Sequence, residues 1–261
     1  MCIMVKNFIG LHVNEFYSIG RLLGLGDKAI IAVIGCGGKT TLISSLAKEY
    51  RQKKVLVTPT TKIFPMSGED ITLLTIAQKC LSHVPLKGIQ CLGVLNETTG
   101  KLEALQQEQL EKIIPQYDLV LLEADGSSGL PCKAWLDYEP VIPSYCTHTI
   151  GVVTLNALGK AAGTDSVHRL PEFLKLTCLS PDEAISMQAL SAMVCAENGM
   201  FKRSIGKQCI FVNQAEDEYS SLAAANWLNE IQTANPGRFS CLAYGSALKN
   251  SWSEVCIKTA L

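Results

Sequence analysis

Between Ala29–Ile34 (AIIAVI), an unbroken apolar run, and Thr40–Arg51, patterned as a helix, lies the heptapeptide Gly35-Cys36-Gly37-Gly38-Lys39-Thr40-Thr41. Few architectures place a buried strand, a glycine-rich turn and a helix in that order. A continuous β-branched run is the mark of a strand covered on both faces. Leu42, Ile43, Leu46 and Ala47 fall at helical spacing. The glycines free backbone N–H groups to turn inward around an anion, and the helix N-terminus adds partial positive charge. Lys39 supplies a full charge for β- and γ-phosphates, and Thr40 a hydroxyl for magnesium. The segment therefore reads as a phosphate-binding P-loop for ATP or GTP with Mg2+. The standard pattern G-x-x-x-x-G-K-[ST] asks for glycine where this chain has Val33, so the loop is the shorter G-x-G-G-K-T-T. Cys36 inside it is either an activated thiol, lowered by the helix terminus and Lys39, or a small residue the turn tolerates.

The same alternation continues along the chain. Lys54–Thr58, Gly88–Leu95, Asp118–Ala124, Thr149–Thr154, Gln208–Asn213 and Arg238–Tyr244 read as strands. Glu103–Ile114 and Asp217–Ile231 read as helices. Ser180-Pro181-Asp182-Glu183 has the form of a helix start, with Ser as N-cap, Pro at the first position and Glu closing a capping box, and predicts a helix reaching Cys195. These alternating elements imply an α/β fold, P-loop NTPase-like, with a mostly parallel sheet and helices on both faces. The expected organisation is a single domain over residues 1–261 with a mostly helical insertion at about 160–205.

A P-loop needs a carboxylate at a neighbouring strand end to hold magnesium, directly or through water. Glu123 and Asp125 end the strand Asp118–Ala124, and either one fits. The turn Gly126-Ser127-Ser128-Gly129 follows them. Thr60, Thr61 and Lys62 follow the second strand, on the sheet edge from which the P-loop emerges. They are candidates for the γ-phosphate or a second substrate, against the plainer reading of a hydroxyl-rich turn. Arg169 is either an arginine finger in cis or the partner of Asp165 or Glu172 on a helix surface. Asn213-Gln214-Ala215-Glu216 loosely follows the N-K-x-D box that reads guanine, but Gln214 lacks a lysine stem and Glu216 is longer than aspartate. Asn213 is therefore only a weak pointer to the base, and ATP is narrowly favoured. His12, His83 and His148 carry no motif.

Composition narrows the rest. A formal net charge of −1 lacks the electrostatic footprint of a nucleic-acid binder. No run reaches the ~20 apolar residues of a membrane helix, and Met1–Gly20 lacks a signal-peptide core. The 11 cysteines form no C-x-x-C pair, which argues for reduced buried thiols in a cytoplasmic setting rather than a zinc site or disulfide scaffold.

The assembled motifs resemble one family, the YqeC proteins associated with selenium-dependent molybdenum hydroxylases. The likeness is carried by GCGGKTT at Gly35–Thr41, TPTTKIF at Thr58–Phe64, LLEADGSSGLPCKA at Leu121–Ala134 and YEPVIP at Tyr138–Pro143. VHRLPEF at Val167–Phe173 and FVNQAED at Phe211–Asp217 follow in order. The short loop itself is similar to that of the Mur peptide ligases. The resemblance implies a nucleotide ligand and a role in maturing or inserting a selenium–molybdenum cofactor, with a molybdenum hydroxylase or cofactor-assembly protein as partner. A basic residue is expected at the position of Ser128, so no cationic role carries over there; Lys133 remains a candidate for an anionic substrate. The alternative is a self-sufficient nucleotide-dependent transferase or ligase activating a small anion through Lys62, Lys133 and Arg169, with Lys39 on the phosphates.

Overall fold

The computed structural model describes residues 18–66, 68, 71–75 and 85–255. His12 and His83, together with Cys2, Cys80 and Cys256, lie outside the described residues. In chain order the elements are α1 (Ile19–Leu22), β1 (Ala29–Gly35), α2 (Lys39–Glu49), β2 (Lys54–Pro59), β3 (Lys62–Ile63), β4 (Ile71–Thr75), β5 (Gly88–Asn96), β6 (Lys101–Glu103), α3 (Gln107–Ile113), β7 (Leu119–Glu123), β8 (Cys132–Lys133) and β9 (His148–Thr154). Then come β10 (Val167–His168), α4 (Leu170–Thr177), α5 (Met187–Cys195), β11 (Lys207–Asn213), α6 (Glu218–Ala234), β12 (Cys241–Ser246) and β13 (Ser251–Glu254).

One sheet carries the order β13-β12-β11-β9-β1-β7-β2-β5-β6-β3, with β4 also on β5. From β12 to β5, and on to β4, every pairing is parallel. Only β13, β6 and β3 bring antiparallel pairs. The fold is α/β. Its parallel strands are buried along nearly their whole length, as continuous apolar runs require. Ala32, Ile34, Leu122, Val153 and Ile210 face the layer of α3, α4, α5 and α6. Val33, Leu121, Val152 and Phe211 face α1 and α2. In α2 the spacing of Leu42, Ile43 and Leu46 puts all three into that core. Fully burying each is worth ~1.5–3 kcal/mol.

The chain leaves β1 toward β2, returns to insert β7 between them, and only then crosses to β9 on the other side of β1. The carboxyl ends of β1, β7 and β9 thus flank the point where the direction of winding reverses, where open α/β sheets bind ligands.

Three readings of the sequence are corrected. The helix expected from Ser180 begins at Met187, capped by the hydroxyl of Ser186 accepting from Ala189 N–H. Half of the predicted box does form, with Ser180 N–H donating to Glu183 at 2.9 Å. Asp182, however, has φ +63°, and backbone bonds from Ala162 N–H to Glu183 O and from Ile185 N–H to Lys160 O hold the segment extended against residues 160–162. Long-range pairing overrides the local signal there. The helix expected from Glu103 starts at Gln107 because Glu103 ends β6, and the strand expected from Arg238 starts at Cys241. Between β9 and β11 lie α4, α5 and the short β10, which pairs in parallel with β8 as a separate two-stranded unit.

Candidate functional site

The turn after β1 is shaped by close packing. Gly35, Gly37 and Gly38 have φ of +97°, +90° and +113°. A Cβ at Gly35 would sit 2.3 Å from Val152 O, one at Gly37 2.6 Å from Thr154 Cβ, and one at Gly38 2.3 Å from Asn213 Nδ2. Only glycine fits, because the loop is pressed against the ends of β9 and β11. Asn213 fastens it there: its Nδ2 donates to Gly37 O at 2.8 Å, and its Oδ1 accepts from Ala247 N–H at 2.9 Å. Cys36 N–H is taken by Val152 O. The next five amides, Gly37 to Thr41, donate to no acceptor among the described residues. Unpaired N–H groups curled at a helix N-terminus form an anion cradle.

Lys39, buried, reaches back across this cradle. Its Nζ donates to Gly35 O at 2.7 Å and lies 3.3 Å from Asp125 and 3.9 Å from Glu123. Burial alone would lower its pKa, but the two carboxylates raise it, so Lys39 is a held cation. Thr40 Oγ1 donates to Glu123 at 3.0 Å.

The two carboxylates occupy different surroundings. Asp125 is wholly buried, and both its oxygens accept from Gly35 N–H, at 3.1 and 3.0 Å. The Trp135 indole N–H donates to it at 2.7 Å, and Lys133 Nζ pairs with it at 3.1 Å. Burial would raise its pKa, but Lys39, Lys133 and these donors together hold it below the ordinary range. Glu123 has fewer donors, and burial pushes its pKa up despite Lys39 and Thr40. One carboxylate is locked; the other is poised at the end of β7 beside the Thr40 hydroxyl.

Of the other residues singled out, Lys133 joins the site: fully buried, it donates to Gly126 O at 2.6 Å and lies 5.2 Å over the Trp135 ring. Thr60 N–H bonds Glu123 O, and its hydroxyl bonds Val141 O, while the buried Thr61 hydroxyl has no partner among the described residues. Lys62 points elsewhere, paired with Glu103 at 2.8 Å on the exposed β3–β6 edge. Arg169 pairs with neither Asp165 nor Glu172 but with Glu139, at 3.3 Å. Glu216 is taken by Ser246 and Lys249. Cys36 is no activated thiol. It is fully buried and donates to Pro131 O, and burial pushes it up to about 12. His148, at the opposite end of β9, is buried against Thr147.

Sequence reasoning missed Trp135 and Ser127, which contacts Lys39 at 3.5 Å. It also missed the pairing of Ser128 with His168 at 3.3 Å. Trp135 directly follows the GSSGLPCKA stretch, which was the only available signal.

The family model described as YqeC protein matches residues 31–171, from β1 through the start of α4. The uncharacterized protein YqeC of Escherichia coli (strain K12) is 30% identical over 212 residues, which cover 78% of this chain and 82% of that protein. The chain belongs to the YqeC family. No solved structure matches it. The region shared with the YqeC family model contains the glycine turn, Glu123, Asp125, Lys133, Trp135, His168 and Arg169, whereas Asn213 lies beyond it. No helix of the described residues is long and apolar enough to cross a membrane, and those residues contain no cluster of three or more His, Cys, Asp or Glu able to hold a metal.

Proposed function

We propose that the protein binds a nucleoside triphosphate, ATP or GTP, with Mg2+ at the Gly35–Thr41 turn, and uses it as an accessory factor in maturing or inserting a selenium–molybdenum cofactor. The observation that carries the nucleotide half is the row of five amides, Gly37 to Thr41, with no acceptor among the described residues, closed by the buried cation Lys39. Five fixed donors and a cation suit a chain of phosphates and little else. The accessory half rests on the family resemblance alone, with a hydroxylase or a cofactor-assembly protein as partner.

Thr40 and Glu123 would hold the metal, directly or through water. They are too few for a resident ion, which fits magnesium arriving on the phosphates. Bound Mg2+ would neutralise charge on the β- and γ-phosphoryl oxygens. Asp125, with both oxygens engaged, acts instead as the anchor that aims Gly35 and Lys39. Asn213 holds the turn against β11, which leaves little of it for reading a base.

A second reading, a transferase or ligase activating a small anion, is favoured by Lys133 and Arg169 near the turn after β7. The test is calorimetric titration with ATP and GTP, with and without Mg2+, beside hydroxylase activity in cells carrying wild type or Lys39→Ala. No binding of either nucleotide would sink the proposal. Binding with unimpaired hydroxylase activity in the Lys39→Ala cells would remove the accessory half.

A further inference from the structure

The turn between β7 and β8 repeats, on a smaller scale, the features of the phosphate cradle. Ser128 and Gly129 both have positive φ, +54° and +76°. The amides of Gly126, Ser127, Ser128 and Gly129 donate to no acceptor among the described residues. An added Cβ at Gly126 or Gly129 would meet nothing within 4 Å, so the turn borders open space. At one end Ser127 Oγ lies 3.5 Å from Lys39 Nζ, which ties the turn to the cradle. At the other, Ser128 Oγ lies 3.3 Å from His168 Nδ1.

The β8–β10 unit brings cationic groups to this turn. Lys133 and His168 are register partners in that parallel pair, so their side chains leave the ribbon on the same side. Lys133 Nζ is fixed on Gly126 O, at the root of the turn. Arg169, next after His168, has φ +64°, costly for a residue with a side chain. Its guanidinium pairs with Glu139, yet its buried Nε has no partner among the described residues. His168 Nε2 makes no hydrogen bond among the described residues. Burial, then Lys133 and Arg169, hold the His168 pKa down against the opposing pull of Glu139 and Asp125. The imidazole is thereby held toward its neutral form. The tautomer in which Ser128 O–H donates to Nδ1 leaves Nε2–H free as a donor.

We infer that the 126–129 turn, His168 and Arg169 form the seat of a second substrate that carries an oxyanion, placed beside the terminal phosphate of the nucleotide. The inference rests on the nucleotide reading of the Gly35–Thr41 turn and deepens it by assigning the co-substrate its chemical class. Free amides, the Ser127 hydroxyl, an imidazole N–H and the Nε–H of Arg169 are donors, and the neighbouring carboxylates Asp125 and Glu139 are already paired, Glu139 with that same guanidinium. A cationic or apolar co-substrate would find no complement there.

The experiment fills the first site before probing the second. Wild type is saturated with Mg2+ and the non-hydrolysable analogue AMP-PNP, then titrated by calorimetry with inorganic phosphate and, separately, with acetate. Binding of either probe is expected, and the stronger one tells whether the natural oxyanion is of the phosphate or the carboxylate kind. His168→Asn and Ser128→Ala should each weaken that binding about tenfold or more, with AMP-PNP affinity within about twofold of wild type as the check on folding. If loaded wild type binds neither probe, or if both variants bind them undiminished, the inference is overturned. A wild type that binds neither AMP-PNP nor its guanosine counterpart GMP-PNP would instead overturn the nucleotide reading itself.

Discussion

Replacing Asp125 with asparagine should cost far more stability than the single atom exchanged suggests. The carboxylate accepts four hydrogen-bond contacts or ion pairs from Lys133, Trp135 and the two close approaches of Gly35 N–H, and it faces Lys39 at 3.3 Å. Asparagine keeps the shape, but its NH2 group must point at Gly35 N–H, the indole N–H or Lys133, all of them donors. Lys133 is 0% exposed and would lose its anionic partner, keeping only neutral contacts such as Gly126 O and the Trp135 ring. Removing one partner of a buried pair leaves an uncompensated charge, at a cost of about 3–5 kcal/mol. Against a total stability of ~5–15 kcal/mol that is a large share. Urea denaturation of wild type, Asp125→Asn, Lys133→Met and the double variant measures it. The double variant should recover part of the loss, because the charge left without a partner is gone.

The same carboxylate fixes a pH dependence. Its folded pKa lies below the ordinary ~3.9 of the unfolded chain. Between those two values the unfolded chain binds more protons, so stability rises with pH through that window. The Asp125 contribution is therefore complete above about pH 4 and is lost as pH falls through the folded pKa. A loss under about 1 kcal/mol in Asp125→Asn, with no recovery in the double variant, would refute the account of a buried, charge-locked anchor.

Other outcomes follow from the same geometry. Lys39→Ala should weaken nucleotide binding about ten- to a hundredfold, the equivalent of ~1.5–3 kcal/mol of charge-assisted bonding, as read by calorimetry. Glu123→Gln should abolish the enhancement of binding by Mg2+ while leaving stability nearly intact. Because burial holds the Glu123 pKa above the usual carboxylate range, Mg2+-dependent binding by wild type should fade on acidification before ordinary surface carboxylates titrate, in a profile the variant lacks. Single-turnover hydrolysis of ATP or GTP by the pure protein should be well below the ~1 s⁻¹ at the lower end of the kinase range, since no motif of the sequence places a water-orienting glutamine or a histidine base beside the turn. Ser186→Ala should destabilise by ~0.5–2 kcal/mol through loss of the α5 cap, whereas Ser180→Ala should leave thermal unfolding almost unmoved.

The strands were legible because each is buried on both faces and therefore written as an unbroken apolar run. Ala29–Ile34 and Asp118–Ala124 differ from β1 and β7 by a residue or two at their ends. The helix start at Ser180 was misread for a reason that local sequence cannot contain. Its capping residues are all present, but an extended segment at residues 160–162 claims the backbone first. Short strands such as β8 and β10 were invisible for a related reason: two residues are too few to show a period, and their partners stand 35 positions apart in the register Cys132–Val167.

The site divides along the same line. The glycine turn was legible because its glycines, lysine and threonines fall within seven consecutive residues, so its local geometry follows from spacing alone. What the sequence could not separate was Glu123 from Asp125, two carboxylates on one strand end. Their difference is made by residues elsewhere: Thr40 on α2 takes Glu123, while Gly35 N–H, Trp135 and Lys133 surround Asp125. A carboxylate is made an anchor by the number of donors turned toward it, and three of the donors to Asp125 come from 8 to 90 positions away. His168 illustrates the point further, for its neighbour Ser128 lies 40 residues upstream and nothing in the local sequence of either announces the other. Where a role depends on several partners converging from separate strand ends, only the assembled sheet edge assigns it.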